Sequence, residues 1–174
     1  MSPMDTAALL AADSARYLRD TYVPRLARAL EVLPAGDLWW RPHEGVISFG
    51  TVLLHLAGNV RQWILSGLAG QPDRRERAQE FAATDGPEGA ELLARLTETV
   101  NEAATFIARL DEAALARTYS IQGGAVTGVY AVTHVVEHFA WHTGQAVWIA
   151  KARAGARHGV AFHDDARINT LRNG

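Results

Sequence analysis

The 174-residue sequence contains no cysteine. That absence excludes disulfides, thiolate metal ligands and a cysteine nucleophile, and it leaves nitrogen and oxygen donors for any bound metal. Long apolar runs are also missing: none approaches the roughly 20 residues that a membrane-crossing helix requires. The first five residues, Met-Ser-Pro-Met-Asp, lack the basic start and apolar core of an export signal. These two absences give the expectation of a cytoplasmic protein without a membrane partner. Positive charge is not in excess either, with 17 basic and 19 acidic residues and a net charge of -2. A nucleic-acid binder would carry a basic surplus, so nucleic acid is not an expected partner.

Strand-like alternation is scarce, and helical periodicity takes its place. Residues 5–33 repeat apolar positions at three and four (Leu9, Leu10, Leu18, Tyr22, Leu26, Leu30, Leu33), with Pro24 as an expected kink and Pro34-Ala-Gly36 as the stop. Leu38-Trp-Trp-Arg-Pro42 reads as a turn with two exposed or wedging tryptophans. Ser48 then caps a second helix to about Gly67, with Val52, His55, Leu56, Asn59 and Trp63 on its inward face. Residues 71–86 form a long charged connection, a possible lid, with one turn of helix near Arg77 to Phe81. A third helix spans about 87–110. Residues 118–126 are an extended crossing, and Thr127 caps a fourth helix to about Ala154. The expectation is an all-α chain, a four-helix bundle with long inter-helix connections. It forms one domain over 1–174, with its core over about 5–155 and a polar tail over 156–174.

Three of the seven histidines, His134, His138 and His142, lie four residues apart in the last helix. An i,i+4 pair stands one turn apart on one face and can grip one ion. His134 and His142 are about 12 Å apart along the axis, too far to share a metal whose ligands lie about 2.1 Å from it. One adjacent pair therefore binds, and spacing alone does not choose which. His55 from the second helix would make three protein ligands, leaving a coordination position for water or substrate, as catalytic sites do. The alternative is that these are helix histidines satisfied by core hydrogen bonds or by solvent. His134-Val-Val-Glu-His138 also matches the HxxEH signature of inverted zinc peptidases. Those enzymes are larger and supply a distal acidic ligand, for which no residue stands out here. The tail residues His158, His163, Asp164 and Asp165 have ligand chemistry without regular spacing and are left out of the site.

Four blocks in order carry a family resemblance: Leu38-Trp-Trp-Arg-Pro42, Leu53-Leu-His-Leu-Ala-Gly-Asn-Val-Arg-Gln-Trp63, Asp73-Arg-Arg-Glu-Arg…Glu80-Phe81, and His134-Val-Val-Glu-His-Phe-Ala-Trp-His-Thr-Gly-Gln145. Over about residues 5–155 the chain resembles the DinB/YfiT-like metal-binding four-helix bundles, in particular a subfamily of unknown function. The resemblance implies that His55, His138 and His142 hold a divalent metal, zinc or nickel foremost, and that His134 is a buried or supporting residue. It further implies a homodimer. His43 stands where the family pattern has asparagine, either neutrally or as another imidazole near the pocket mouth.

Around that site, Gln145 shares the face of His138 and His142 and is placed to orient a ligand or a water. Asn59, one turn beyond His55, has the same possibility, and for both the alternative is an amide satisfied by backbone. Glu137 points about 100° away from His138 and is read as a surface or helix-contact residue, not a base. Trp63, Trp141 and Trp148 are either pocket lining or core and dimer contacts. Arg74, Arg75 and Arg77 either clamp an anionic substrate or belong to a solvated, salt-bridged loop. The functional expectation is a metal-dependent enzyme acting on a small molecule. It is either a thiol S-transferase using a low-molecular-weight thiol, as some relatives in the wider family are, or a hydrolase. The alternative is a non-catalytic metal-binding or stress-associated helical bundle.

Overall fold

Asp5 begins the first helix by accepting a hydrogen bond from the Ala7 amide at 3.1 Å. In the computed structural model, which describes residues 5–157 and 159, α1 (Thr6–Arg16) runs through a wide π-helical turn, Tyr17–Tyr22, into α2 (Val23–Val32). The π turn is the form taken by the expected kink at Pro24. Proline has no amide proton and its ring crowds the carbonyl four residues back. The Val23 amide reaches five residues back, to Leu18, and so widens the turn ahead of Pro24. The tail residues His158, His163, Asp164 and Asp165 lie outside the described residues.

After the Leu38–Pro42 turn, in which Trp39 wedges against Gly50 where a β-carbon would meet its ring at 2.8 Å, α3 (Phe49–Val60) starts at Ser48. The Ser48 hydroxyl accepts from the Thr51 amide at 3.1 Å. This helix also ends in a π-helical stretch, Arg61–Leu68. The charged connection that follows holds α4 (Arg77–Ala82). It is pinned rather than open: Arg41 donates to the carbonyls of Phe81 and Ala83 at its end. Next come α5 (Gly89–Ile107) and a helix not foreseen from the sequence, α6 (Glu112–Ala116), capped by Asp111 accepting from the Ala114 amide. The expected extended crossing is an antiparallel hairpin, β1 (Thr118–Ile121) with β2 (Gly124–Thr127). Its two-residue turn, Gln122-Gly123, has φ of 53° and 77°, the left-handed pair that matches strand twist. Thr127 then caps α7 (Gly128–Ala154), accepting from the Tyr130 amide.

Four long helical units result: α1–α2, α3 with its extension, α5, and α7. The first and second lie across the bundle from one another, each packed against the third and fourth. Stacking of Tyr22 on Phe139 makes the first and fourth run parallel when taken with the Arg153 to Asp37 bond at one end. Trp63 against His134, with His55 against His142, makes α3 and α7 antiparallel. Leu30 packs on Gly89 at the start of α5, and Glu102, near the end of α5, accepts from Gln71 just beyond the second unit. The helices therefore run up, down, down, up. Leu26, Phe49, Leu53, Leu56, Leu96 and Phe139 are fully buried where the units meet.

Because Ser48 fixes the start of the helix that carries His55, Ser48→Ala should lower stability by about 1–2 kcal/mol, read from the urea midpoint at unchanged slope. A midpoint equal to that of the unaltered chain would deny the cap this role.

Candidate metal centre

The antiparallel register of α3 and α7 sets His55 beside His142 and Trp63 beside His134, with Asn59 and His138 at the intervening turn of each row. His55 is buried and His138 and His142 are half-buried. Their ring centres stand 4.9 Å (His55 to His138), 4.9 Å (His55 to His142) and 4.5 Å (His138 to His142) apart. Each offers a nitrogen within 4.8 Å of the other two. The three histidines that the resemblance selects are thus brought into one cluster.

Hydrogen bonds define which nitrogen each ring presents. His55 Nδ1 lies 2.9 Å from Glu80 Oε2 and 3.1 Å from Arg75 Nη2; because an ionised carboxylate only accepts and Arg75 Nη2 already donates to Glu80 Oε2, the ring proton is assigned to Nδ1 and donated to Glu80, which leaves the Nε2 lone pair free. His142 Nδ1–H donates to Gln145 Oε1 at 2.6 Å, with the same consequence. His55 Nε2 faces His138 Nε2 at 3.0 Å. Two nitrogens each about 2.1 Å from one ion stand about 3.0 Å apart at right-angled coordination and about 3.4 Å apart at a tetrahedral centre, so this spacing suits a shared cation. His138 Nδ1 and Asn59 Oδ1 are both buried without a partner. An Nε2-bound cation would put the proton of His138 on Nδ1, where a buried acceptor such as Asn59 is wanted. The donor set of three neutral imidazoles fits a borderline divalent ion.

Protonation of His138 and His142 is opposed. Burial, then the charge repulsion of His142, His55, His134 and Arg75, pushes His138 down to about 3. Burial followed by repulsion from His55 lowers His142, against the bond to Gln145. Burial alone would raise Glu80, yet hydrogen bonds from Arg75 and His55 overcome it and hold the carboxyl below its ordinary range. Arg75 clamps Glu80 with Nε to Oε1 at 2.7 Å and Nη2 to Oε2 at 2.8 Å, and donates to Gln62 at 2.9 Å. Gln62 in turn accepts from Gln122 at the hairpin tip.

The remaining candidates separate. His134 stands outside the cluster, its ring 4.1 Å from that of buried Trp63. Trp141 and Trp148, 69% and 60% exposed, line an apolar groove of about 430 Å³ with Val46, Ile47 and Gln145. Glu137 is exposed, and His43 is exposed with Nδ1 on the Glu44 carbonyl. Arg74 and Arg77 are on the surface, Arg77 over the Phe81 ring at 4.6 Å. Arg75 makes the salt bridge expected of the loop arginines but is buried, not solvated: its side chain is 4% exposed and committed to Glu80. Glu80 is the residue that sequence reasoning left out of the site. It appeared only inside a family block, and its signal was a glutamate-phenylalanine pair in the one helical turn of a charged connection.

A folded-state pKa below the ordinary value means that the neutral cluster favours folding at high pH. For His138, and in the same direction for His142 and His134, this contribution is complete above the unfolded value of 6.5 and is lost as pH falls toward about 3. Metal-free protein should therefore melt at steadily lower temperature from pH 7 to pH 4.5, whereas a His138→Asn variant should show a shallower decline. Parallel profiles would contradict the assignment.

No curated protein matches the chain. A family model described as the DinB superfamily matches residues 18–146, which takes in α2, α3, α5, most of α7, the connection bearing Glu80, and all three clustered histidines. The chain belongs to the DinB superfamily.

Proposed function

We propose that the protein is a metal-dependent enzyme in which His55, His138 and His142 hold one divalent ion, zinc or nickel, with a coordination position left open to a small molecule. The observation that carries this reading is the convergence of three imidazoles, two of them with Nδ1 already tied to an acceptor so that Nε2 turns inward. Glu80 and Gln145 hold their rings against rotation, and burial favours the neutral form of His138 and His142. When bound, the ion would supply the positive charge that lowers the pKa of an incoming thiol or water. With no thiol in the chain itself, a low-molecular-weight thiol is the co-substrate that makes it an S-transferase, and water makes it a hydrolase. A cytoplasmic location, where such thiols stay reduced, goes with the first outcome.

One observation favours the alternative of a non-catalytic metal-binding bundle. Among the described residues, Glu80 is the carboxylate in contact with the cluster, and it is taken up by Arg75 and His55. A homodimer belongs to either reading, and the face of α7 that exposes Tyr130, Trp141 and Trp148 is the surface we assign to it.

Protein purified without a histidine tag should contain about one equivalent of metal, lost in His138→Ala and retained in His134→Ala, as elemental analysis would record. Metal missing from the unaltered chain, or insensitive to His138→Ala, would sink the site. With metal present, turnover of an electrophile only when a low-molecular-weight thiol is added identifies a transferase. Turnover without thiol identifies a hydrolase, and none under either condition points to the binding role.

A further inference from the structure

We propose that Glu80, presented by α4 and clamped by Arg75, is the positioning residue that fixes His55 as an Nε2 donor, and that Gly58 is the gap through which it reaches the ring. This rests on the metal reading and deepens it by assigning the residue that sets how tightly the ion is held.

Four observations converge on Glu80. Its carboxylate meets His55 Nδ1 at 2.9 Å with both side chains nearly withdrawn from solvent, 11% and 5% exposed. Arg75 grips both carboxylate oxygens, which leaves the group one orientation. A β-carbon on Gly58 would stand 2.0 Å from Glu80 Oε1 and 2.9 Å from Arg75 Nε, so only glycine at this helix position admits the pair. Finally, Phe81 meets the His55 ring edge-on at 4.7 Å, and Arg41 secures the end of α4.

A buried ion pair is a costly way to anchor a loop, since desolvation offsets most of the attraction. A carboxylate receiving the Nδ1 proton of a ligating imidazole has a specific effect: it fixes the tautomer, stops ring rotation and makes Nε2 a stronger donor. Arg75 keeps that carboxylate ionised and in place. Gly58 lies on α3 one turn from His55, so the helix carrying the ligand also carries the opening for its partner.

The test uses the full chain without a tag, zinc and nickel as probes, and competition with a chelator of known affinity. Glu80→Gln, which keeps shape but removes charge, should weaken metal binding about 10-fold, and Glu80→Ala by up to about 100-fold. Gly58→Ala should also weaken it, although alanine is the better helix former; a role confined to helix stability would have the opposite sign. In nitrogen-15 NMR of the zinc-loaded protein, His55 should carry its proton on Nδ1, and this resonance should be lost to exchange in Glu80→Ala. Should Glu80→Ala fail to fold without metal, Glu80→Gln decides. Affinities of both Glu80 variants within twofold of the unaltered chain, or zinc on His55 Nδ1, would overturn the assignment while leaving the metal site standing. Absence of metal from the unaltered chain would overturn the site and this inference together.

Discussion

Burial of His55 between α3 and α7 is the constraint on which the rest of the centre depends. An imidazole out of water must have both ring nitrogens accounted for, because an unsatisfied buried polar group costs as much as several ordinary hydrogen bonds contribute net. One nitrogen is answered by Glu80 and the other by the cluster. From this follow the docking of α4, the ion pair to Arg75, the need for glycine at position 58, and the placement of a histidine pair on the facing helix. None of these features makes physical sense without the buried ring.

Topology explains why the carboxylate arrives from a connection. The second and third long helices run in the same direction, so the chain must travel back along the bundle between Leu68 and Gly89. A return of that length passes the site whether or not it contributes to it. Here it contributes, through a six-residue helix with no buried residue of its own, held by the side chains Arg41, Arg75, Glu80 and Phe81. Antiparallel pairing of α3 with α7 then lays His55 beside His142 and Trp63 beside His134. The clustered imidazoles at one end of that row and the Trp63–His134 contact at the other come from a single repeat of four.

The all-α bundle was legible because helical periodicity is a local signal. Ser48 and Thr127 announced two helix starts, and the inward face of Val52, His55, Leu56, Asn59 and Trp63 is buried as its spacing implied. Spacing also showed that His134 and His142 could not share an ion, while the choice of His138 and His142 with His55 needed the family blocks. Less was legible where contacts are non-local. Nothing adjacent to Glu80 in sequence reveals that it meets a ring 25 residues earlier, through a gap defined by a missing side chain at Gly58. Arg75 likewise looked like one of several loop arginines until its carboxylate was known. The short α6 and the Gln122-Gly123 turn were missed because five helical residues and a glutamine at positive φ give little periodic or compositional signal.

His55 and His138 are 83 residues apart in the chain, whereas His138 and His142 are neighbours on one helix. The helical pair exists as soon as that segment coils, but the third ring joins only after loop closure over most of the bundle, an entropic cost that grows with the logarithm of the separation. The cluster therefore combines one local contact with one that spans 83 residues. The complete set of three imidazoles is present only in a chain whose second and fourth long helices have docked, so the centre serves as a molecular record that folding has finished.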